Sequence, residues 1–332
     1  MLSPVSAEVP GLTVVAPPDG MGKLAQLRFM ARAMRGQTPD VFYAHYASEY
    51  VCWLAGLMRR GPFAIHAMGS DVLLDALGRN GALRAWLTRH ALRRADLLTV
   101  KSPFITEALV SLGIPSARIH EVIWGVDPQQ VRRDETARRA WRDKWHADDD
   151  TFVVLSPRPL DSLYRQSLLI EAMPDLIARH GNIRAVISEY NANEGYRNDL
   201  RDQAAALGIA DHVRFLPAQS AEDMAGLLSA ADTVVSLAYT DGTPQTVLEA
   251  QACGVPVVIA DIPDIRHVFT HNQDCLMTAA EPMAIAEALI AVASNRALCD
   301  QLVAGGVALI RDRANFPNEV TRVETLLRSI CK

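Results

Sequence analysis

The sequence predicts an α/β protein made of two Rossmann-like, doubly wound parallel-sheet domains in series. Three observations carry this. Short β-branched runs alternate with longer helical patterns along the chain. The alternation occurs twice, broken once at residues 128–150, where Arg, Asp, Gln and Trp displace the apolar runs. The 332 residues, 49% hydrophobic and 21% charged, suffice for about two ordinary domain cores. The expected division is a first domain over 1–128, a linker over 129–150, a second domain over 151–310 and a closing helical segment over 311–332.

In the first half, Leu12–Ala16 reads as a buried strand. Leu24–Arg35 reads as a helix, with Leu24, Leu27, Met30, Ala31 and Met34 on one face and Arg28, Arg32 and Arg35 off it. Strands follow at 40–45 and 63–68, the second closed by Gly69-Ser70-Asp71. A helix over 82–94 leads to a strand at 97–100. Another over 104–112 leads to a strand near 119–123 that ends at Trp124-Gly125-Val126-Asp127. In the break, Trp141 and Trp145 sit four residues apart and are expected to seat a linker helix on the protein body.

The second half repeats the rhythm. Strands are expected at 151–155, 183–188, 213–216, 233–237 and 256–260. Helices are expected at 166–179, 197–207, 221–231, 246–253, 282–293 and 297–310, with Pro174 a kink or stop in the first of them. Open parallel sheets bind ligands beyond the carboxyl ends of their strands, so the chemistry is expected where two such crevices face each other.

Composition excludes several classes. The net charge of -5 argues against a nucleic-acid binder. Residues 1–127 hold 13 Lys and Arg against 10 Asp and Glu, whereas the rest hold 20 against 28. A mildly basic first half suits an anionic membrane surface or a phosphorylated acceptor, and equally an ordinary solvated face. Five cysteines form no CxxC pair and no metal-ligand spacing, so reduced thiols in a cytoplasmic protein are expected. The start has neither the charged nor the apolar region of a signal peptide, and no apolar run reaches the ~20 residues of a membrane span. No GxGxxG follows a strand with a well-placed acidic residue, which disfavours a nicotinamide enzyme.

The richest segment follows the strand at 233–237. Asp241-Gly242-Thr243-Pro244 precedes a helix whose N-terminus offers unpaired amides and partial positive charge, suited to a diphosphate. Gly242 allows an unusual backbone angle and close ligand approach, and Pro244 fits a first turn that needs no N–H. Gln245 and Thr246 keep their amides available. Glu249, one turn on, can accept two hydrogen bonds from a ribose diol. The competing reading is that Asp241 and Thr243 only cap the helix.

Glu249-Ala250-Gln251-Ala252-Cys253-Gly254-Val255-Pro256-Val257-Val258, with Asp241 eight residues ahead of Glu249, resembles the donor-binding word of family 4 retaining glycosyltransferases. Their pattern is Glu, seven residues, Glu, then Ala-x-Ala-x-Gly-x-Pro-Val-Val, on a GT-B fold of two Rossmann-like domains around a cleft. Asp241 stands where the family has its first Glu. The resemblance implies that Asp241 meets hydroxyls of the transferred sugar and Glu249 the nucleotide ribose. It makes the first domain the acceptor side, the second the nucleotide-sugar donor domain, and 311–332 a helix crossing back.

Other segments extend the likeness. Leu155-Ser156-Pro157-Arg158-Pro159-Leu160 resembles the family's first donor-domain strand and its phosphate-binding Arg, which marks Arg158 for the diphosphate. Where the family has Lys-Gly, this chain has Tyr164-Arg165: either Arg165 replaces the Lys cation or the Tyr164 hydroxyl meets the donor. Arg214-Phe215-Leu216-Pro217 resembles the loop that touches the base. Ala230-Ala231-Asp232 resembles a strand entry, with Asp232 structural. Ser188–Gly195 departs from the family's glycine-rich loop. Met68-Gly69-Ser70-Asp71 resembles His-Gly-Ser-Asp, with Met68 at the His position. His66 either compensates or is a core or surface residue, and Asp71 is either a polar group of the interdomain cleft or an N-cap. Trp124-Gly125-Val126-Asp127 and Asn315-Phe316-Pro317 resemble the joints between domains. The family's first strand and glycine-rich loop would precede Leu12, so either the first domain is shortened or the true start lies upstream, and Asp19–Lys23 is a plain turn or a weak phosphate cradle.

What the resemblance implies is transfer of a sugar from a nucleoside diphosphate to a hydroxyl of a glycan or lipid-linked acceptor, with retention, without metal or cofactor. The alternatives are a non-catalytic GT-B protein that binds a nucleotide sugar or partner enzyme and, more remotely, a sugar-nucleotide 2-epimerase.

Overall fold

The computed structural model describes residues 15–58, 61–69, 71–72 and 81–331. They form two compact units: Met1–Val122 with Val320–Lys332, and Ile123–Glu319. The first three residues of the expected strand at Leu12–Ala16 lie outside the described residues.

The first unit runs α1 (Lys23–Arg35), β1 (Phe42–His45), α2 (Tyr50–Met58), β2 (Phe63–Ala67), α3 (Ala82–Arg94), β3 (Leu97–Val100), α4 (Pro103–Ser111) and β4 (Ile119–Glu121). Its described strands are parallel and ordered β1-β2-β3-β4. All five residues of β2 are buried, as a parallel strand covered on both faces requires. Helix α2 escaped the sequence reading because Tyr-Val-Cys-Trp-Leu-Ala-Gly-Leu-Met is nearly uniformly apolar and shows no period of 3.6. Helix α1 buries Met30 and Met34 as expected, but Leu24 on the same predicted face is 64% exposed.

The second unit contains α5 (Glu135–Lys144), β5 (Phe152–Ser156), α6 (Gln166–His180), β6 (Ile183–Ser188), α7 (Glu194–Ala206), β7 (Val213–Leu216), α8 (Met224–Ala230), β8 (Thr233–Ser236), α9 (Gln245–Ala252), β9 (Val257–Ala260), β10 (Leu276–Thr278), α10 (Pro282–Ser294) and α11 (Arg296–Asp312). Helix α12 (Phe316–Ile330) starts here, and its residues from Val320 belong to the first unit. The sheet is parallel, in the order β10-β9-β8-β5-β6-β7. That is the Rossmann order, with its switch point between β5 and β8. Alternate side chains feed two cores: Val153, Leu155, Val234 and Val257 lie on one face, and Val154, Val235 and Val258 on the other. Helix α6 continues through Pro174 and does not stop there.

The expected linker at 129–150 is part of the second unit, whose boundary falls at Val122/Ile123. Trp141 and Trp145 are buried in its core. Arg142 donates to Ala230 O at 3.1 Å, and Arg138 to Ser229 O at 2.9 Å, capping the last carbonyls of α8. Both arginines also pair with Asp232 at 2.9 Å. The charge-rich composition thus belongs to an interior clamp.

Candidate functional site

The β5/β8 switch point brings two loops together. From β5 comes Pro157-Arg158-Pro159, and from β8 comes the segment 237–244 that leads into α9. Arg158 is 8% exposed. Its guanidinium donates to Asp241 Oδ2 at 2.5 Å and to Thr246 Oγ1 at 3.1 Å, and lies 4.6 Å from the centre of the Tyr164 ring. Its Nε is buried without a hydrogen-bond partner. Arg158, Tyr164, Asp241 and Thr246 therefore form one cluster at the mouth of α9, the place the sequence assigns to a diphosphate.

Glu249 faces the same cluster. Burial raises its pKa above the usual 4.5, while a hydrogen bond from Gln245 and the Arg158 charge pull it back down. Gln245 also donates to Gly125 O at 2.8 Å, which ties the first turn of α9 to the 124–126 segment. Gly125 has φ +64°, and a Cβ there would collide with the Ala314 backbone, so that segment requires glycine. The first-turn amides of Gln245 and Thr246 have no intrahelical acceptor, as at any helix start. Pro244 is the N-cap of α9, one position before the expected first turn. Gly242 is not in the left-handed region. A Cβ there would meet nothing within 4 Å, so its bareness leaves room above the helix mouth.

Three further candidates are held by contacts away from this cluster. Arg165, at φ +51°, donates through Nε to Leu237 O at 2.6 Å and through a terminal nitrogen to Ala238 O at 2.9 Å. It latches the loop after β8 and is not the free cation expected in place of the family's Lys. Tyr239 N donates to Leu163 O at 2.8 Å and Thr240 to Asp264 at 2.6 Å, which fixes the same loop further on. Asp71 is fully buried and accepts from the amides of Ala47 at 2.7 Å, Gly69 at 2.8 Å and Met68 at 3.1 Å. Burial raises its pKa and these amides lower it. Its described bonds brace the turn after β2. His66 is a core residue, 1% exposed, with Nδ1 2.8 Å from Thr99 Oγ1. Burial pushes its pKa down to about 4.

Leu216 ends β7, three strand spacings, or about 14 Å, from β8. Its carbonyl accepts from Glu189 N at 2.7 Å. Thr243 precedes Pro244 in the same loop and is half-buried. Asn193 caps α7 through Tyr196 N at 3.1 Å, so Ser188–Gly195 is an ordered turn despite its departure from a glycine-rich loop.

Residues 137–306 match the family described as Glycosyl transferases group 1, and residues 2–125 match Glycosyl transferase 4-like domain. The chain belongs to the group 1 glycosyl transferases. Among its relatives, D-inositol 3-phosphate glycosyltransferase of Mycobacterium tuberculosis is 30% identical over 282 residues, covering 78% of this chain. The chain spans 58% of the length of that relative. HepE of Anabaena, solved with UDP and glucose, superimposes with a TM-score of 0.78 at 20% identity, over 96% of this chain and 86% of that one. Sucrose-phosphate synthase of Thermosynechococcus elongatus gives 0.77 at 16%, over 98% and 85%. At such identities the likeness is one of fold, GT-B with two parallel-sheet α/β domains.

Asp232, read from sequence as structural, accepts from Arg138, Arg142 and Val153 N. What the sequence could not reveal is the Arg158–Asp241 contact, which depends on β5 and β8 being neighbours in space although 76 residues lie between Ser156 and Thr233. A phosphate-seeking Arg and a carboxylate read separately are in fact each other's partner.

Proposed function

We propose that the second unit binds a nucleoside diphosphate sugar, and that the protein transfers the sugar to a hydroxyl of a glycan or lipid-linked acceptor with retention, in the cytoplasm. The observation that supports this best is the buried Arg158 held at the mouth of α9 beside Glu249. In this reading Arg158 and the Gln245 and Thr246 amides meet the diphosphate charge, so no metal is required for it. Glu249 accepts from the ribose diol, and Leu216 lies toward the base. Thr243 and Gly242 border the diphosphate, Tyr164 supports Arg158, and Asp241 holds sugar hydroxyls. The bond from the sugar's anomeric carbon to the diphosphate breaks, and the acceptor oxygen bonds to the same face. The acceptor's proton passes to the departing phosphate oxygen.

The test is product analysis with a panel of nucleotide sugars, using inositol phosphate and lipid-linked glycans as acceptors, with Glu249→Ala as control. The product's anomeric configuration is read by NMR. Transfer with retention, lost in Glu249→Ala, supports the reading. Donor binding without transfer or hydrolysis favours a non-catalytic binder. If no nucleotide binds and Glu249→Ala changes nothing, the donor site is wrong.

Two further outcomes follow. Asp241 holds the guanidinium that the diphosphate needs, at 2.5 Å. Asp241→Asn should therefore tighten binding of UDP alone by about five- to tenfold, roughly 1 kcal/mol, while transfer falls. Calorimetric titration checks the first effect and turnover the second. The pH dependence follows from Glu249, whose carboxylate form is the acceptor. As pH falls through its raised pKa the acceptor is lost, so UDP binding should weaken at a pH above the 4.5 of an exposed glutamate. Glu249→Gln should remove that part of the pH profile, and a profile unchanged by the variant counts against Glu249 at the ribose.

A further inference from the structure

Helices α1, α2 and α3 of the first unit pack side by side, α2 in contact with both of the others. Trp53 Nε1 on α2 donates to Thr88 Oγ1 on α3 at 3.1 Å. The three carry eight Lys and Arg, namely Lys23, Arg28, Arg32, Arg35, Arg84, Arg89, Arg93 and Arg94, and no Asp or Glu. A solvated helix layer normally mixes both signs. Large apolar side chains also stand out from it: Leu24 is 64% exposed, Leu57 49%, Leu83 72% and Trp86 56%.

The spacing orders these groups. On α1 the exposed line is Leu24, Arg28, Arg32 and Arg35, opposite the buried Met30 and Met34. On α3 it is Leu83, Trp86 and Arg93 with Arg94, opposite Thr88, Ala91 and Leu92, and Trp86 stacks on His90 at 5.4 Å. Each outer helix presents an exposed apolar group in its first turn, beside Lys23 on α1 and Arg84 on α3, and further cations toward its end. Elsewhere in the chain acids outnumber bases, so the positive excess is confined to this part.

We propose that the α1–α3 layer docks on an anionic lipid bilayer, with Leu83 and Trp86 entering the interface and the arginines meeting lipid phosphates. Apolar insertion and attraction to negative headgroups add, and neither alone anchors a peripheral protein firmly. A tryptophan beside a stacked histidine and flanking arginines suits the boundary, where one end of the residue is apolar and its surroundings are wet. Charge selects the occupant: a nearly acid-free, eightfold cationic layer complements a negative surface and repels a second copy of itself. The proposal stands independently of the donor site.

The test uses the full chain with vesicles of phosphatidylcholine alone or mixed with phosphatidylglycerol. Flotation should recover the protein with the mixed vesicles only, and less of it as salt rises. Leu83→Asp with Trp86→Asp should cut partitioning at least about tenfold, and reversal of Arg28, Arg32, Arg93 and Arg94 to Glu by a similar factor. Arg296→Glu with Arg311→Glu on the second unit, both exposed, should leave it unchanged. Brominated lipid should quench tryptophan emission in the wild type and not in Trp86→Phe. Circular dichroism and the melting temperature of every variant report an intact fold. Equal binding to neutral vesicles, quenching that persists in Trp86→Phe, or loss in the second-unit reversals as large as in the first would overturn the proposal. So would a concentration-dependent dimer abolished by Trp86→Asp, which would assign the layer to self-association.

Discussion

Arg158→Met should lower kcat/KM for sugar transfer by about 100- to 1000-fold, the loss expected when a preorganised donor to developing negative charge is removed. The guanidinium is positioned before any ligand arrives. It stands between Thr246 Oγ1 at 3.1 Å and Asp241 at 2.5 Å, over the Tyr164 ring. Such a group needs little reorganisation as charge builds on the leaving diphosphate. Lysine is a poor replacement, since it can neither stack flat on Tyr164 nor offer two nitrogens to two acceptors. Arg158→Lys should therefore retain only a small part of the activity.

One alternative has to be separated: that Arg158 merely neutralises Asp241. Arg158→Met leaves that carboxylate, 16% exposed at its side chain, without this cation, and stability should fall as well. The double variant Arg158→Met with Asp241→Asn removes that charge as well. It should recover thermal stability toward the wild type and recover no transfer. If the double variant regains transfer, Arg158 acts through Asp241 and not on the donor.

Much of this site was legible in the sequence, for a physical reason. Asp241 to Val258 is one continuous loop-helix-strand passage, so the spacing from Asp241 to Glu249 follows from local geometry alone. The β–α alternation likewise gives the second sheet, because a parallel strand covered on both faces reads as a short apolar run. What was not legible depends on which strands become neighbours. Arg165 was open as a stand-in for the family's Lys, with the Tyr164 hydroxyl as the alternative. The β5/β8 adjacency instead sets it under the carbonyls of Leu237 and Ala238, where it holds the loop. Asp71 was open between a cleft carboxylate and an N-cap, yet Ala47, 24 residues earlier, supplies one of the amides that engage it. His66 was open between ligand and core, and the Thr99 hydroxyl on the next strand makes it core.

The same principle explains the misread linker and sets the largest stability effect. Composition marked 129–150 as a charged connection because arginines are usually solvated. Here Arg138 and Arg142 reach Asp232 at 2.9 Å each, and Arg142 also donates to Asp148 O and Thr151 O at 2.6 Å. Asp232 further accepts from Val153 N at 2.8 Å, so one carboxylate joins α5, the entry of β8 and the start of β5. Asp232→Ala strands the Arg142 side chain, 5% exposed, together with a strand amide. The expected cost is about 3 kcal/mol, the lower end for removing one partner of a buried pair, because Asp232 itself is 24% exposed. For a unit of this size that lowers Tm by roughly 6–12 °C. Asp232→Asn should cost nearly as much, since its amide nitrogen turns a donor toward an arginine. Asp300→Ala, which breaks only a surface pair with Arg296, should leave the melting temperature unchanged. Calorimetry of the three variants decides the matter. If Asp232→Ala melts with Asp300→Ala, the Asp232 carboxylate adds nothing to the hold on α5, which then rests on Trp141, Trp145 and the bonds of Arg138 and Arg142 to backbone carbonyls.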